Sequence, residues 1–146
     1  MANEVKLTYD GSDYIVKCTG VKIGYNPLVY SKPNANWIYP VEMQTQGIEN
    51  PIYTLENVML IDSASHLSSS LLLDMMTNQY DGTNGITLTV NYGREVDRLW
   101  TGIDGTTTAI PVVIRPFTIN IPVEDVYNGD SSFYLPGFNL VLQETA

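Results

Sequence analysis

Histidine and serine are the first residues to test for nucleophilic catalysis, because a serine nucleophile needs a base beside it. His66 is the only histidine in the chain, and Ser68, Ser69 and Ser70 follow it closely. These serines lie too near His66 in sequence to form a triad on a strand-to-helix elbow, and no GxSxG motif is present. We therefore interpret His66 as a solvent-exposed residue in the first turn of a helix.

Acidic residues cluster in two predicted loops. Asp10 and Asp13 share one turn, and Glu124, Asp125 and Asp130 share another. Glycoside hydrolysis needs two carboxylates that face each other across a cleft, and neither loop predicts such a pair. Calcium binding at DGSD or NGDSS is an alternative, but neither sequence matches a twelve-residue calcium loop with its terminal glutamate. We expect no catalytic carboxylate pair and no functional metal.

Cys18 is the only cysteine, so no disulfide can form within the chain. One cysteine and one histidine do not fill the tetrahedral shell of zinc. The segments DGTNG and DGTTTA lack the lysine and the spacing of a phosphate-binding loop. We expect a buried, inert thiol in a protein assembled in a reducing cytosol, with no cofactor and no enzymatic activity.

Aromatic residues offer a different kind of site. Tyr25, Tyr30, Trp37 and Tyr39 lie in or beside a predicted loop over residues 26–37. Aromatic platforms of this kind bind sugars or partner proteins, whereas ordinary packing is the alternative. A carbohydrate-binding β-sandwich therefore remains open as a function, and loss of glycan binding in Trp37→Ala would support it.

The charge distribution excludes an ordinary nucleic-acid-binding protein. The chain has a net charge of −9, from 16 acidic and 7 basic residues, and residues 33–93 contain six acids and no lysine or arginine. Nucleic-acid binding needs clustered bases to neutralise phosphates. An acidic surface would instead repel a polyanion and let it slide past, although a charge that only keeps the protein in solution is the alternative.

Neither a membrane span nor a signal peptide is predicted. The longest apolar runs, VMLI and IPVVI, are far shorter than the length of about 20 residues that crosses a bilayer. The N-terminal sequence MANEVKLTYDG has no basic segment followed by an apolar run. We expect no membrane association and no export through such a signal.

Alternating apolar and polar residues predict strands over most of the 146 residues. Prolines and asparagines in residues 26–37 predict a long loop or the tip of a hairpin, and residues 93–109 predict a second loop or long hairpin. Six to eight short strands in one domain predict a mainly β fold, an antiparallel β-sandwich or barrel with one flanking helix. The predicted strands are an opening hairpin of residues 5–9 and 14–23, then 52–61, 86–92, a pair in 110–123 interrupted by Pro116, and 138–145.

One helix is predicted over residues 64–79, with Ser63 or Ser65 as its N-cap and DGTNG as its stop. Its apolar residues form two neighbouring stripes and leave a narrow polar edge. The stripes are Leu67, Leu71, Met75 and Leu72, Met76, Tyr80, with Leu73 further round; the polar edge is Ser70, Asp74 and Thr77. On the outside of a sheet, such a helix leaves Leu72, Leu73 or Met76 facing water unless a neighbouring subunit covers them. A helix within the protein's own core, or under a loop, is the alternative.

The order of strand, capped helix, turn and alternating strand resembles the tail-tube proteins of tailed viruses and related injection particles. The segments that carry the resemblance are ENPIYTLENVMLIDSASHLSSSLLLDMMTNQYDGTNGITLTVNYG, residues 49–93, and GFNLVLQET near the C-terminus. The resemblance implies a β-sandwich with a flanking helix, six copies in a ring, and rings that stack into a tube. It further implies a lumen through which the genome leaves.

The resemblance implies a structural virion protein of the tail, assembled in the host cytoplasm. Its partners would be further copies of itself and other tail proteins, and DNA would pass without specific binding. Loops 26–37 and 93–109 would reach between rings, the helix would pack near the adjacent protomer, and edge strands would pair across subunits. A distal tail, terminator or baseplate protein is the alternative, because these share the sandwich and the ring.

Overall fold

The structure, a computed structural model, describes residues 3–33, 40–79, 85–120 and 137–145, with the side chains of residues 29–46 outside that description. The described ranges contain one helix and nine strands, so the predicted mainly β fold with one helix is confirmed. The elements are β1 (Glu4–Tyr9), β2 (Ser12–Ile15), β3 (Gly20–Gly24), β4 (Pro27–Pro33), β5 (Pro40–Ile48), β6 (Ile52–Val58), α1 (Ser69–Asn78), β7 (Ile86–Asn91), β8 (Ile110–Ile114) and β9 (Phe138–Glu144).

Seven of the strands form one antiparallel sheet in the order β2-β1-β7-β8-β9-β6-β3, and β4 and β5 form a separate two-stranded sheet. The edge strands β2 and β3 are consecutive in the chain, since β2 ends at Ile15 and β3 begins at Gly20. Five residue steps reach at most about 18 Å, whereas a flat sheet would hold its two edges about 29 Å apart. The sheet is therefore curled into a barrel.

The predicted opening hairpin is divided in two. β2 pairs with β1, as expected, but β3 pairs with β6, on the other side of the barrel. The connection between them is bonded to both neighbours: Val16 N–H donates to the Val5 carbonyl at 2.8 Å, and Thr19 N–H donates to the Glu56 carbonyl at 2.9 Å. A single return strand over residues 14–23 was therefore a wrong prediction, because these residues cross from one edge of the sheet to the other.

Alternate residues of the central strands fill the core, as the period of two predicts. The buried side chains of these strands are Ile86, Leu88 and Val90 in β7, Ile110, Val112 and Ile114 in β8, and Phe138, Leu140 and Leu142 in β9. Burying each such aliphatic or aromatic side chain contributes about 1.5–3 kcal/mol. The inward faces of these strands therefore hold the barrel together.

Helix α1 begins at Ser69, so the predicted start at residue 64 was wrong. The side chain of Ser68, not that of Ser63 or Ser65, is the N-cap and accepts the Leu71 N–H at 3.3 Å. The residues before it form a turn that is bonded to the end of β2: Ile15 N–H donates to the Ser65 carbonyl at 2.8 Å, and Leu67 N–H donates to the Ile15 carbonyl at 3.0 Å. These long-range bonds keep the serines at 63 and 65 out of the helix.

The core of the barrel receives the apolar face of α1. Leu72 and Met75 are buried, and Leu71 and Met76 pack against the core, whereas Leu73 remains 63% exposed. Of the two alternatives for this helix, the structure shows the one in which the chain's own core covers it. Leu72, Leu73 and Met76 were the residues expected to face water, and of these only Leu73 is left exposed by the protein's own core. Tyr80 lies outside the described residues.

Polar side chains fix α1 across one end of the barrel. Ile114 N–H donates to Gln79 Oε1 at 2.6 Å, and Gln79 Nε2 donates to the Ile114 carbonyl at 3.3 Å. The Tyr9 hydroxyl donates to Asp74 Oδ2 at 3.2 Å. Since Tyr9 ends β1 and Ile114 ends β8, the helix closes the end at which these two strands finish; we call this the helix end.

Two predicted connections have different outcomes. Within the predicted loop 26–37, residues 27–33 form β4, which pairs with β5 as a hairpin, and residues 34–37 lie outside the described residues. After Pro116, residues 117–120 form no strand, although the Phe117 ring stacks on Phe138 with centroids 5.3 Å apart. The second strand predicted there was wrong for these four residues, and the remainder, 121–123, lies outside the described ranges.

Candidate functional site

The end of the barrel opposite α1, which we call the open end, is where β1, β6 and β8 begin and β3, β7 and β9 finish. The pairing of Glu4 with Asn91 and of Gly24 with Ile52 places these four residues there. The β4–β5 hairpin, which we call the arm, leaves the barrel at this end, between Gly24 and Ile52. The long connection between β7 and β8 leaves it at the same end.

Large apolar side chains are exposed at the open end. Eight of them lie at the base of the arm or in and beside the β7–β8 connection, with 38% to 69% of their surface exposed. Among the described side chains, Leu73 is the only other exposed large apolar residue. We call the eight the apolar collar: Tyr25, Leu28, Ile48, Ile52, Tyr92, Val96, Leu99 and Ile103.

The arm is attached to the barrel by its base. Glu49 N–H donates to the Asn26 carbonyl at 3.0 Å, and Asn26 Nδ2 donates to Glu49 Oε2 at 3.0 Å. In the described part of the chain, β4 and β5 pair only with each other. An isolated two-stranded hairpin is marginally stable in water, so the arm gains stability from any surface that packs against it.

A buried carboxylate organises the centre of the open end. Glu144 is 4% exposed and receives two hydrogen bonds, from the Tyr53 hydroxyl to Oε1 at 2.7 Å and from Ile103 N–H to Oε2 at 2.8 Å. Burial, followed by the bond to Glu144, raises the pKa of Tyr53 above its usual range, so this hydroxyl remains a proton donor. The pair therefore ties the collar residue Ile103 to the core.

The β7–β8 connection is stabilised by its own turns as well. Asp104 accepts hydrogen bonds from Thr106 N–H at 3.0 Å, from Thr107 N–H at 2.9 Å and from the Thr107 hydroxyl. The bonds from Thr107 and then from Thr106 hold the pKa of the Asp104 carboxyl well below its usual range. A Cβ atom at Gly102 would lie 3.1 Å from Glu144 Oε2, so this position favours glycine. The connection presents its apolar residues from a well-bonded loop.

The sequence candidates for nucleophilic chemistry are separated. His66 precedes the helix, pairs with Ile15 through a parallel bridge and is partly buried, so its prediction as an exposed first-turn residue was wrong. Ser68 is occupied as the helix cap. Cys18 is partly buried, and this burial raises the pKa of its thiol, which weakens it as a nucleophile. His66 and Cys18 line one cavity of about 660 Å³.

The remaining candidates do not form a group. Asp13 accepts the Thr8 hydroxyl at 2.7 Å, and Asp10 occupies the β1–β2 turn with a φ of 52°. In the described ranges, no three acidic, histidine or cysteine residues are placed to hold a metal ion. Glu124, Asp125, Asp130 and the side chains of Tyr30, Trp37 and Tyr39 lie outside the described residues. Of the four loop aromatics, the structure therefore describes the side chain of Tyr25 alone, which is 50% exposed.

No role for Glu144 was predicted from the sequence, although the alternation of apolar residues along β9 indicates that this residue faces inward. Phe138, Leu140 and Leu142 alternate along β9, and Glu144 continues the same face. A residue two positions beyond an inward-facing leucine also faces inward, so the period of two predicts a buried carboxylate at 144. The cavity and the collar had no comparable signal, because both depend on which strands become neighbours.

Within the described residues, no helix is long and apolar enough to cross a bilayer. Comparison of the chain with protein-family models and with curated proteins found no match.

Proposed function

We propose that this protein is the subunit of a viral tail tube, a structural virion protein that assembles into hexameric rings and conducts the genome through stacked rings. The observation that carries the proposal is the concentration of the apolar collar and the arm at one end of the barrel. Exposed apolar patches that extend beyond isolated residues are typical of protein–protein contacts. Two segments expected to reach between rings begin at this end: β4, which covers most of the described part of residues 26–37, and the connection over residues 93–109.

The contribution of α1 to assembly is smaller than its sequence predicts. Leu72 and Met75 are buried in the chain's own core, so the helix offers only Leu73 to a neighbour. In the proposed tube the open end carries most of the contact energy.

Electrostatics supports a passive role toward DNA. The net charge of −9 makes each ring strongly negative, and a negative wall offers a polyanion no stable binding point. Described cationic side chains are few, and Lys6 is paired with Glu4 at 3.4 Å. In this role the chain needs no catalytic residue, no cofactor and no specific DNA contact. The assembled protein would belong to the virion tail.

Assembly of purified protein tests the proposal. We expect light scattering after size exclusion to show an oligomer, and negative-stain images to show rings or tubes. Val96→Asp and Leu99→Asp in the collar should give a folded monomer, whereas Leu73→Asp at the helix end is the matched control. A parent protein that remains monomeric at every accessible concentration would contradict the proposal, as would collar variants that assemble like the parent.

The same images separate the related candidate, a distal tail, terminator or baseplate protein. Long tubes support a tube subunit, whereas isolated rings that do not stack support one of these adaptors. The carbohydrate-binding alternative rests on Tyr25 among the described side chains. Glycan-array binding that is lost in Tyr25→Ala or Trp37→Ala would favour that alternative over the tube.

A further inference from the structure

The barrel has an open seam between β1 and β3. β2 pairs with β1 only from Lys6 to Tyr9, so Glu4 and Val5 extend beyond the end of β2. β3 pairs with β6 on one side and with no strand of the described ranges on the other. The cavity of about 660 Å³ lies at this seam, and its volume is in the range of about 300–1,000 Å³ that is typical of small-molecule sites. We call it the seam cavity.

Apolar side chains form most of the wall of the seam cavity. They come from β1, β3, β7 and the connection between β2 and β3 (residues 16–19), which we call the crossing segment. An aromatic ring from the β7–β8 connection completes the wall. These residues are Val5, Val16, Val21, Ile23, Val90 and Trp100. The Trp100 ring meets Tyr92 edge to face, with centroids 6.2 Å apart, which holds the aromatic wall in place. Such a wall suits an aliphatic or aromatic body.

Two residues with basic side chains, Lys17 and His66, belong to the lining of the same cavity. His66 pairs with Ile15 through the parallel bridge, and Lys17 follows Ile15 by two residues in the crossing segment. Paired residues, and residues two apart in an extended chain, share a face, so both side chains lie along one rim. The Ser65 hydroxyl lies 3.0 Å from His66 Nδ1, which orients the ring and leaves Nε2 for another partner.

Lys17 is the one charged residue of the lining that no described opposite charge compensates. Lys17 takes part in no ion pair among the described side chains. The one acidic lining residue, Glu4, has its carboxylate 3.4 Å from Lys6 Nζ and is compensated there. Cys18 is held neutral at neutral pH because burial raises the pKa of its thiol. A lysine that no described carboxylate neutralises therefore stands at the edge of an apolar cavity, in a chain of net charge −9.

We propose that the seam cavity binds an amphipathic organic anion, with its carboxylate beside Lys17 and His66 and its apolar chain against Val21 and Trp100. This site is independent of the proposed assembly, because the collar residues that carry the assembly, apart from Tyr92, do not line the cavity. A fatty-acid-like carboxylate matches both parts of the site. The charge sets the orientation of the ligand, and the walls supply the apolar burial.

Titration with 8-anilinonaphthalene-1-sulfonate, followed by displacement with decanoate or decan-1-ol, tests the proposal. We expect saturable binding of the dye at one site per chain and displacement by decanoate at lower concentration than by decan-1-ol. Lys17→Gln should weaken decanoate several-fold, up to about tenfold, and leave decan-1-ol unchanged. Lys22→Gln is the matched control, since Lys22 is exposed nearby on β3 and does not line the cavity. Equal decanoate affinity in Lys17→Gln and Lys22→Gln would overturn the proposal.

A chemical block distinguishes the seam cavity from dye binding on the collar. Cys18 is the only cysteine and lines the cavity, so N-ethylmaleimide places one adduct there. We expect the adduct to abolish dye binding and decanoate to slow the labelling, while Cys18→Ser treated with the same reagent still binds dye. Full dye binding by the labelled protein would overturn the proposal, whatever the oligomeric state found by light scattering.

Discussion

The Tyr53 hydroxyl donates a 2.7 Å hydrogen bond to Glu144 Oε1, across 91 positions of sequence and inside the barrel. Tyr53 is fully buried, and Glu144 is the one buried charged residue among the described side chains. A buried carboxylate is stable only when its oxygens are hydrogen-bonded. The bonds that Glu144 accepts from Tyr53 and from Ile103 therefore join β9 to β6 and to the β7–β8 connection.

Removing the Tyr53 hydroxyl should destabilise the fold. Tyr53→Phe leaves Glu144 Oε1 without its donor, and an unsatisfied buried acceptor of this kind costs about 1–3 kcal/mol. Urea denaturation followed by circular dichroism measures the loss in the free energy of unfolding. Tyr25→Phe is the matched control, because the Tyr25 side chain is 50% exposed. If Tyr53→Phe lowers the free energy of unfolding no more than Tyr25→Phe does, the hydrogen bond from Tyr53 to Glu144 does not stabilise the fold.

Alkaline pH should destabilise the parent protein through the same hydroxyl. The folded state raises the pKa of Tyr53, so it holds the proton more tightly than the unfolded state does. The stabilisation is therefore complete below the ordinary tyrosine value of 10.0 and is lost as the pH rises above it. Denaturation midpoints between pH 8 and 11 measure this trend, and Tyr53→Phe should flatten it. A parent curve and a variant curve of equal slope would contradict the assignment.

Alanine at Gly93 should disrupt the turn that begins the β7–β8 connection. A Cβ atom there would overlap the Val96 carbonyl oxygen and lie 2.8 Å from Arg98 N, and the backbone at these positions is held by the Asn91 side chain. We expect Gly93→Ala to cost about 1–3 kcal/mol, as overpacking does. Gly85→Ala is the control, because nothing lies within 4 Å of a Cβ at that position. Thermal denaturation of the two variants compares them directly.

The helix cap distinguishes the observed start of α1 from the predicted one. Ser68→Ala removes the acceptor of the Leu71 N–H and should cost about 0.5–2 kcal/mol. Ser63→Ala should change the free energy of unfolding by less than about 0.5 kcal/mol, because Ser63 is exposed and outside the helix. A larger loss from Ser63→Ala than from Ser68→Ala would place the helix start where the sequence predicts it.

The pattern of β7 and β9 was predictable because a strand with one buried face repeats every two residues. Leu88 and Leu140 face the core as that period requires. The start of α1 was not predictable, because five serines lie near it with similar capping propensity. Only the hydrogen bonds of Ile15 with Ser65 and Leu67 select Ser68 as the cap. Local sequence does not contain that long-range information.

The candidate site was less predictable than the fold. The aromatic content near residue 25 predicts a contact region, and the structure shows only that Tyr25 is exposed at the base of the arm. The seam cavity exists because residues 16–19 cross between the two edges of the sheet, and the strand-like sequence of residues 14–23 does not reveal that crossing. Glu144 could be found from its inward register, whereas its partner Tyr53 follows only from the pairing of β6 with β9.

The position of β9 makes completion of the large sheet a late step of chain synthesis. This strand lies between β8 and β6, and no other strand pairs with both of them. Its residues, 138–144, follow all the other described strands in the chain, so the sheet gains its last two strand pairs only after a ribosome has made them. Pairs between residues far apart in sequence, such as Ile52 with Gln143, form slowly, and a shorter polypeptide lacks the carboxylate of Glu144 that holds Ile103 at the open end.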